Sequence, residues 1–323
     1  MRLIILAILF IPTISMGLES DQYLMWGREL RDVSNEINLH VNQVVENSLK
    51  KSNGLKKSLS CEEVHSKAVK EFRGFIIHKI ETWLEKDLGQ DLFPVATDSY
   101  NDYYRMSIYN FKASFIGRFF PMGRNMNFNQ IYIGSDKLAH FFSTGLRYFT
   151  IYQKQMKKGK SPEQAMHSAI DFGITMENSI LGKIPSGVYS FGDLEANFQG
   201  LLFNRKFCED GENSYLAKNS KQEWYLANRI DLNDYINPFM DESFNPSHFI
   251  AIKWLKVKPR LKLYCGRQND PDVVARFDHY RQIIAQKDMG IKTFSRDYLA
   301  EIRNQGHWRV PDPKRQILES ICQ

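Results

Sequence analysis

The stretch from Ser161 to Gly182, SPEQAMHSAIDFGITMENSILG, decides how the middle of this chain is read. Ser161 can cap a helix, Pro162 fits its first turn and Gln164 completes a capping box. At about 100° per residue, Ile170, Gly173, Ile174, Ile180 and Leu181 share one face. Gln164, His167, Asp171, Thr175 and Asn178 share the other. Glu177 falls in the middle of the apolar face, with Gly173, Ile174, Ile180 and Leu181 three or four residues away. An ionised carboxylate is costly there unless it is paired, metal-bound, protonated or opening into a cleft. Glu177 is therefore the first candidate site residue.

Helices are expected on both sides, over about 135–158 and 191–207, so 134–207 reads as a three-helix core. In the first, Asp136, His140, Ser143, Thr144 and Arg147 form a polar stripe opposite Leu138, Phe141, Phe142, Leu146, Phe149 and Tyr152. A solvated face favours Lys, Glu and Gln, whereas an Asp one turn before a His can fix the imidazole's tautomer. In the helix over 191–207, Glu195, Gln199 and Lys206 form a stripe that reads as water-facing. Asp193, Asn197 and Asn204, with Gly200 beside them, form a second stripe, expected to point inward. Gly200 would let another helix or a ligand approach closely.

These residues carry a resemblance. Asp136-Lys137-x-x-His140-Phe141, Glu177 and Asp193-x-x-x-Asn197-x-x-Gly200 resemble the signature of the VanZ-like family, including its soluble envelope relatives, over roughly residues 134–203. The resemblance implies a cell-envelope setting with links to glycopeptide resistance, and no settled reaction. The chain departs from the pattern in two ways. Its helices carry too many charges to span a membrane, and Ile180 stands where the family has Gln three residues after the Glu.

Two functions follow for this constellation. In the first, the protein is a hydrolase of an envelope polymer such as peptidoglycan. Glu177 is then the general acid, Asp193 the base or nucleophile, and Asp136 holds His140, while Asn197, Lys137 and Gly200 contact substrate. A variant gives Asp136, His140, Glu177 and Asp193 to a metal, but with one strong nitrogen ligand no metal is assigned. In the second, the polar groups form a hydrogen-bonded network that fixes helix register in a non-enzymatic binding or scaffold protein. The chain has no nucleophile elbow, Walker loop or dinucleotide fingerprint, and no cofactor is expected. The loop from Gly182 to Ser190 could bring Ser186 or Tyr189 to the pocket.

Outward from the core, the N-terminus has Arg2, an apolar run from Leu3 to Ile11, Pro12 and a small-residue stretch ending at Gly17. This is the pattern of a secretory signal over residues 1–17, too short for a membrane anchor. The protein is expected in the periplasm or beyond, not as an integral membrane protein once the signal is removed. Residues 18–323 are expected to form one mostly helical domain. Its net charge of +6 fits an envelope polymer or anionic surface as partner and gives no nucleic-acid signature. The oligomeric state is not legible in the sequence. Cys61, Cys208, Cys265 and Cys322 allow two disulfides in three connectivities; a Cys208–Cys265 pair would staple the middle of the chain to its last third.

Apolar positions Trp26, Leu30, Val33, Ile37, Val41 and Val44 predict a helix over 20–52. A capping box at Ser60 opens a second through Val64, Ala68, Phe72, Phe75, Ile76, Ile80 and Trp83, the two forming a hairpin over 18–90. Residues 94–135 read as irregular, with a short helix before Pro121 and a loop over 123–129. Residues 208–323 read as irregular and helical. Alternation of Lys256, Lys258, Arg260 and Lys262 with Val257, Pro259, Leu261 and Leu263 predicts an extended cationic strip over 256–264, either a protected sheet edge or a dock for an anionic polymer. The fold class is mostly α: a multi-helix bundle with irregular, aromatic-rich connections and at most this minor β element.

Overall fold

The computed structural model describes residues 19–74, 77–95, 97–110, 122–179, 182–184, 186–208, 211–286, 294, 296–307, 309–312 and 316–322. The signal-like segment 1–17 and Phe75, Ile76, Ile180, Leu181 and 111–121 lie outside them. Helices dominate, joined by aromatic-rich connections and, among the described residues, three two-stranded sheets.

Helix α1 spans Ser34–Asn53 and packs Ile37, Val41, Val45 and Leu49 into the core. It starts later than its apolar repeat predicts. Residues 22–25 instead form a 3₁₀ turn that seats Tyr23 and Trp26 elsewhere, and Asp32 accepts from Ser34 N at 2.9 Å where the helix begins. The second predicted helix is two: α2, Cys61–Lys70, with the expected capping box at Ser60, and α3, Lys79–Asp87. Gly74 lies between them, where a Cβ would meet the Ile77 carbonyl at 1.9 Å, so the chain needs a glycine at this break. After the short α4, Tyr100–Met106, the predicted 123–129 loop contains a strand. β1, Asn125–Phe128, pairs with β2, Ile131–Gly134, through Asn129 and Gln130 at φ of 49° and 66°. Asn at a left-handed position suits such a tight hairpin.

The three central helices form as expected. α5, Ser135–Ala139, continues through a π-turn at His140–Thr144 into α6, Gly145–Met156; α7 spans Pro162–Glu177 with the Ser161 capping box; β3 is Val188–Tyr189; α8 is Phe191–Arg205. α6 packs against both α7 and α8. α8 is buried nearly all round, so Glu195 and Gln199 do not face water as their stripe suggested. Glu195 accepts from Gln199 Nε2 at 2.8 Å, Asn237 Nδ2 at 2.7 Å and the Phe294 amide.

Beyond α8, β4 (Leu216–Lys218) and β5 (Trp224–Leu226) form a hairpin, and β6 (His248–Phe249) pairs with β3. The predicted 256–264 strip is not extended. Residues Ala251–Leu261 form α9, followed by a 3₁₀ turn at Lys262–Tyr264. Trp254, Val257, Leu261 and Tyr264 recur at helical spacing and fall on the core side; this repeat outweighs the alternation of charges. α10 spans Pro271–Gln286, α11 Arg296–Asn304 and α12 Leu318–Ile321. The disulfides are Cys61–Cys208 and Cys265–Cys322, not Cys208–Cys265. Among the described residues no helix is long and apolar enough to cross a membrane.

Candidate functional site

Lys137 sits in the first turn of α5 with no solvent exposure, and its ammonium is the centre of the site. Nζ bonds Asp136 Oδ2 at 2.6 Å, Asp193 Oδ1 at 2.7 Å and Glu242 Oε1 at 2.6 Å. Three donors thus meet three carboxylates from α5, α8 and the loop that precedes β6. Burial alone would lower the Lys137 pKa, but these carboxylates outweigh it and hold the ammonium well above the ordinary lysine value.

Each carboxylate has further partners. Asp136 Oδ1 accepts from Ser20 Oγ at 2.6 Å, which in turn accepts from Gln22 Nε2 at 2.7 Å. Ser190 caps α8 by accepting from Asp193 N at 2.9 Å and donates its hydroxyl to Glu242 Oε1 at 2.8 Å. The Tyr109 hydroxyl donates to Glu242 Oε2, and Glu242 N donates to Gln22 Oε1 at 3.2 Å. Asp193 Oδ2 lies 3.3 Å from His140 Nε2, and His140 Nδ1 lies 3.1 Å from Asn197 Oδ1. His140 begins the π-turn, a local widening that changes the direction of the side chains after Ala139.

Glu177 ends α7 beside this network, 1 % exposed. Its Oε2 accepts from Ser190 N at 3.3 Å, while its Oε1 has no hydrogen-bond partner among the described residues. Burial first, then the Asp193 charge, push its carboxyl well above the ordinary glutamate range. Glu19 behaves alike: it is buried, its Oε2 is unpartnered among the described residues, and burial followed by Asp193 and Glu242 raises its pKa well above normal.

Asp136, Lys137, His140, Asp193 and Asn197 therefore form one bonded set, with Glu177 joined through Ser190. Gly200 serves packing instead. A Cβ there would lie 2.1 Å from the Phe141 carbonyl and 2.8 Å from Gly145 Cα, so it admits the neighbouring helix rather than the polar centre. Asn204, of the same stripe, bonds His65 Nε2 at 2.7 Å. Ser186 closes its own turn on Gly182 O at 2.9 Å. Glu242, Ser190, Tyr109, Ser20 and Glu19 were not legible as site residues. Glu242 and Glu19 lie outside any periodic helix, and only capping chemistry could have flagged Ser190.

Oxygens of Glu19, Asp136, Asp193 and Glu242 lie within 4.8 Å of one another, a spacing that suits the oxygen shell of a divalent ion. Lys137 already bonds three of the four and acts as the resident cation. His140 and Glu177 do not belong to this group, so the metal set weighed from the sequence is not the one assembled. A cavity of about 640 Å³ lies elsewhere, between Arg28, Asn127, Tyr132, Asp272, Arg276 and His279, and shares no residue with the Lys137 centre. No family model, curated protein or solved structure matches the chain.

Proposed function

We propose that the chain is an exported cell-envelope protein related to the VanZ-like family, and that its Lys137 centre is a structural lock in a non-enzymatic binding or scaffold protein. An envelope polymer or anionic surface is the partner class in this reading. Export is supported by the signal-like segment at Leu3–Ile11 and by the pairing of all four cysteines, which suits an oxidising compartment. The observation that carries the lock is the burial of Lys137 with each ammonium proton taken by a different carboxylate. Removing one member of such a set leaves uncompensated buried charge, at a cost of about 3–5 kcal/mol.

Urea unfolding tests this. Lys137→Met is expected to lose about 3–5 kcal/mol, and adding Asp136→Asn, Asp193→Asn and Glu242→Gln to it is expected to restore a large part. A Lys137→Met protein within about 0.5 kcal/mol of the parent would refute the lock.

One observation favours the hydrolase reading instead. A purely structural network is normally satisfied throughout, yet Glu177 Oε1 and Glu19 Oε2 are buried without partners among the described residues. Glu177, its carboxyl pushed up by burial and by the nearby Asp193 charge, makes with Asp193 a carboxyl pair of the kind acid–base hydrolysis uses. The burial of both side chains leaves a polymer no path to them in this conformation, which is why the lock is preferred.

A further inference from the structure

The four most exposed large apolar residues among those described are Leu255 and Leu263, each 75 %, Ile184 at 68 % and Ile252 at 66 %. Three of them lie on α9 and its 3₁₀ extension. At about 100° per residue, Leu255, Pro259, Ile252 and Leu263 fall within one narrow arc, opposite the buried Val257 and Leu261. Lys256 borders this arc on one side, Lys262 and Lys258 on the other, all three exposed. No carboxylate occurs between Ile250 and Asn269. Ile184 stands in the loop that reaches α9 at its start, where Ile250 N donates to Gly187 O at 3.0 Å.

The helix is held firmly from behind. Arg260 Nη1 donates to the carbonyls of Arg105 and Ser107 at 2.9 Å each, and the Cys265–Cys322 disulfide fixes its far end. Its outward leucines therefore do not turn inward to find cover. A solvent-facing helix ordinarily carries polar residues there. An apolar arc edged by lysines on both sides, on a segment that carries no acid of its own, is complementary to an anionic bilayer: the leucines enter the acyl boundary and the lysines meet headgroup phosphates.

We infer that the outer face of α9 docks the protein peripherally on an anionic phospholipid surface. This names the anionic partner of the proposed function, but it stands on helix geometry and holds whichever role the Lys137 centre has. Vesicle sedimentation with the purified protein tests it. Binding is expected to phosphatidylglycerol-containing vesicles at low salt, weaker at high salt and weaker still to pure phosphatidylcholine. Leu255→Ser with Leu263→Ser should weaken binding by about tenfold or more. Each of Lys256→Gln and Lys262→Gln should weaken it about fivefold. These positions are exposed, so circular dichroism should stay unchanged.

Three results would overturn the inference. The first is no binding to anionic vesicles, or binding that the leucine substitutions leave intact. The second is a self-association in sedimentation equilibrium that the same leucine substitutions dissolve, which would assign the face to a second copy. The third is capture by a soluble polyanion that depends on the lysines alone.

Discussion

Glu177 shows what one side chain reveals in advance and what it withholds. Its place on an apolar helix face forecast a carboxyl among apolar neighbours, and Glu177 is buried, which pushes its carboxyl upward. Its partner, the Ser190 amide, comes from a different helix terminus and could not be read from spacing. The pKa shifts have a consequence for pH. Burial pushes Asp21 up to about 6, and Glu81 and Glu195 up to about 7, and it raises Glu177 and Glu19 as well. A carboxyl that holds its proton more tightly when folded contributes stability below its unfolded pKa, and loses it as pH rises through the folded value. His65 and His78, lowered by burial to about 4, act with the opposite sign: their contribution is present above the ordinary 6.5 and is lost as pH falls towards 4. From about pH 6.5 to about pH 8 each carboxyl near 7 takes away on the order of 1 kcal/mol, opposed in part by the end of the histidine titration and by Lys253, which burial lowers to about 8, so a net fall is expected. Urea unfolding at the two pH values should show a shallower fall for Glu177→Gln, which keeps the neutral form. An equal fall would remove the buried-acid assignment. The same protein addresses catalysis: if any peptidoglycan hydrolysis is found, full retention by Glu177→Gln and by Asp193→Asn ends the hydrolase reading.

At the scale of elements, periodicity located the three central helices within a few residues, because each carries a long apolar repeat and α7 has a capping box besides. It failed where two patterns overlapped. In α9 the alternating lysines masked the Trp254, Val257, Leu261 repeat. In α8 two polar stripes suggested one wet face, but Asn237 and the Phe294 amide cover Glu195. Neither partner lies near α8 in sequence. Gly200 was read as a point of close approach, and its neighbour is the α6 start: a Cβ on Gly145 would lie 2.5 Å from Gly200 Cα. Gly200→Ala should therefore destabilise by about 1–3 kcal/mol through overpacking. Gly266→Ala, with open space around its Cβ position, should be nearly neutral. Equal thermal midpoints for the two variants would contradict this helix crossing.

Across the whole molecule, the Lys137 centre joins stretches that are far apart in sequence. Ser20 reaches Asp136 across 116 residues, and Lys137 reaches Glu242 across 105. Gln22 bonds both the Asn125 side chain and the Glu242 amide, so the segment from Glu19 to Gln22 is part of the interior. The sequence reading found the half of this centre that lies on periodic helices. The other half sits in segments without period, where only the folded chain brings acid to ammonium. The disulfides were open for the same reason, since four cysteines fix a number of bridges and not their pairing.

The central claim is a fully buried, charged lysine held by three carboxylates. Heteronuclear NMR of the Lys137 side-chain ammonium measures it directly. A slowly exchanging NH₃⁺ signal that persists above the ordinary lysine pKa of 10.5 and disappears in Lys137→Met is the predicted result. An ammonium that exchanges freely with water and titrates at the ordinary value would contradict it.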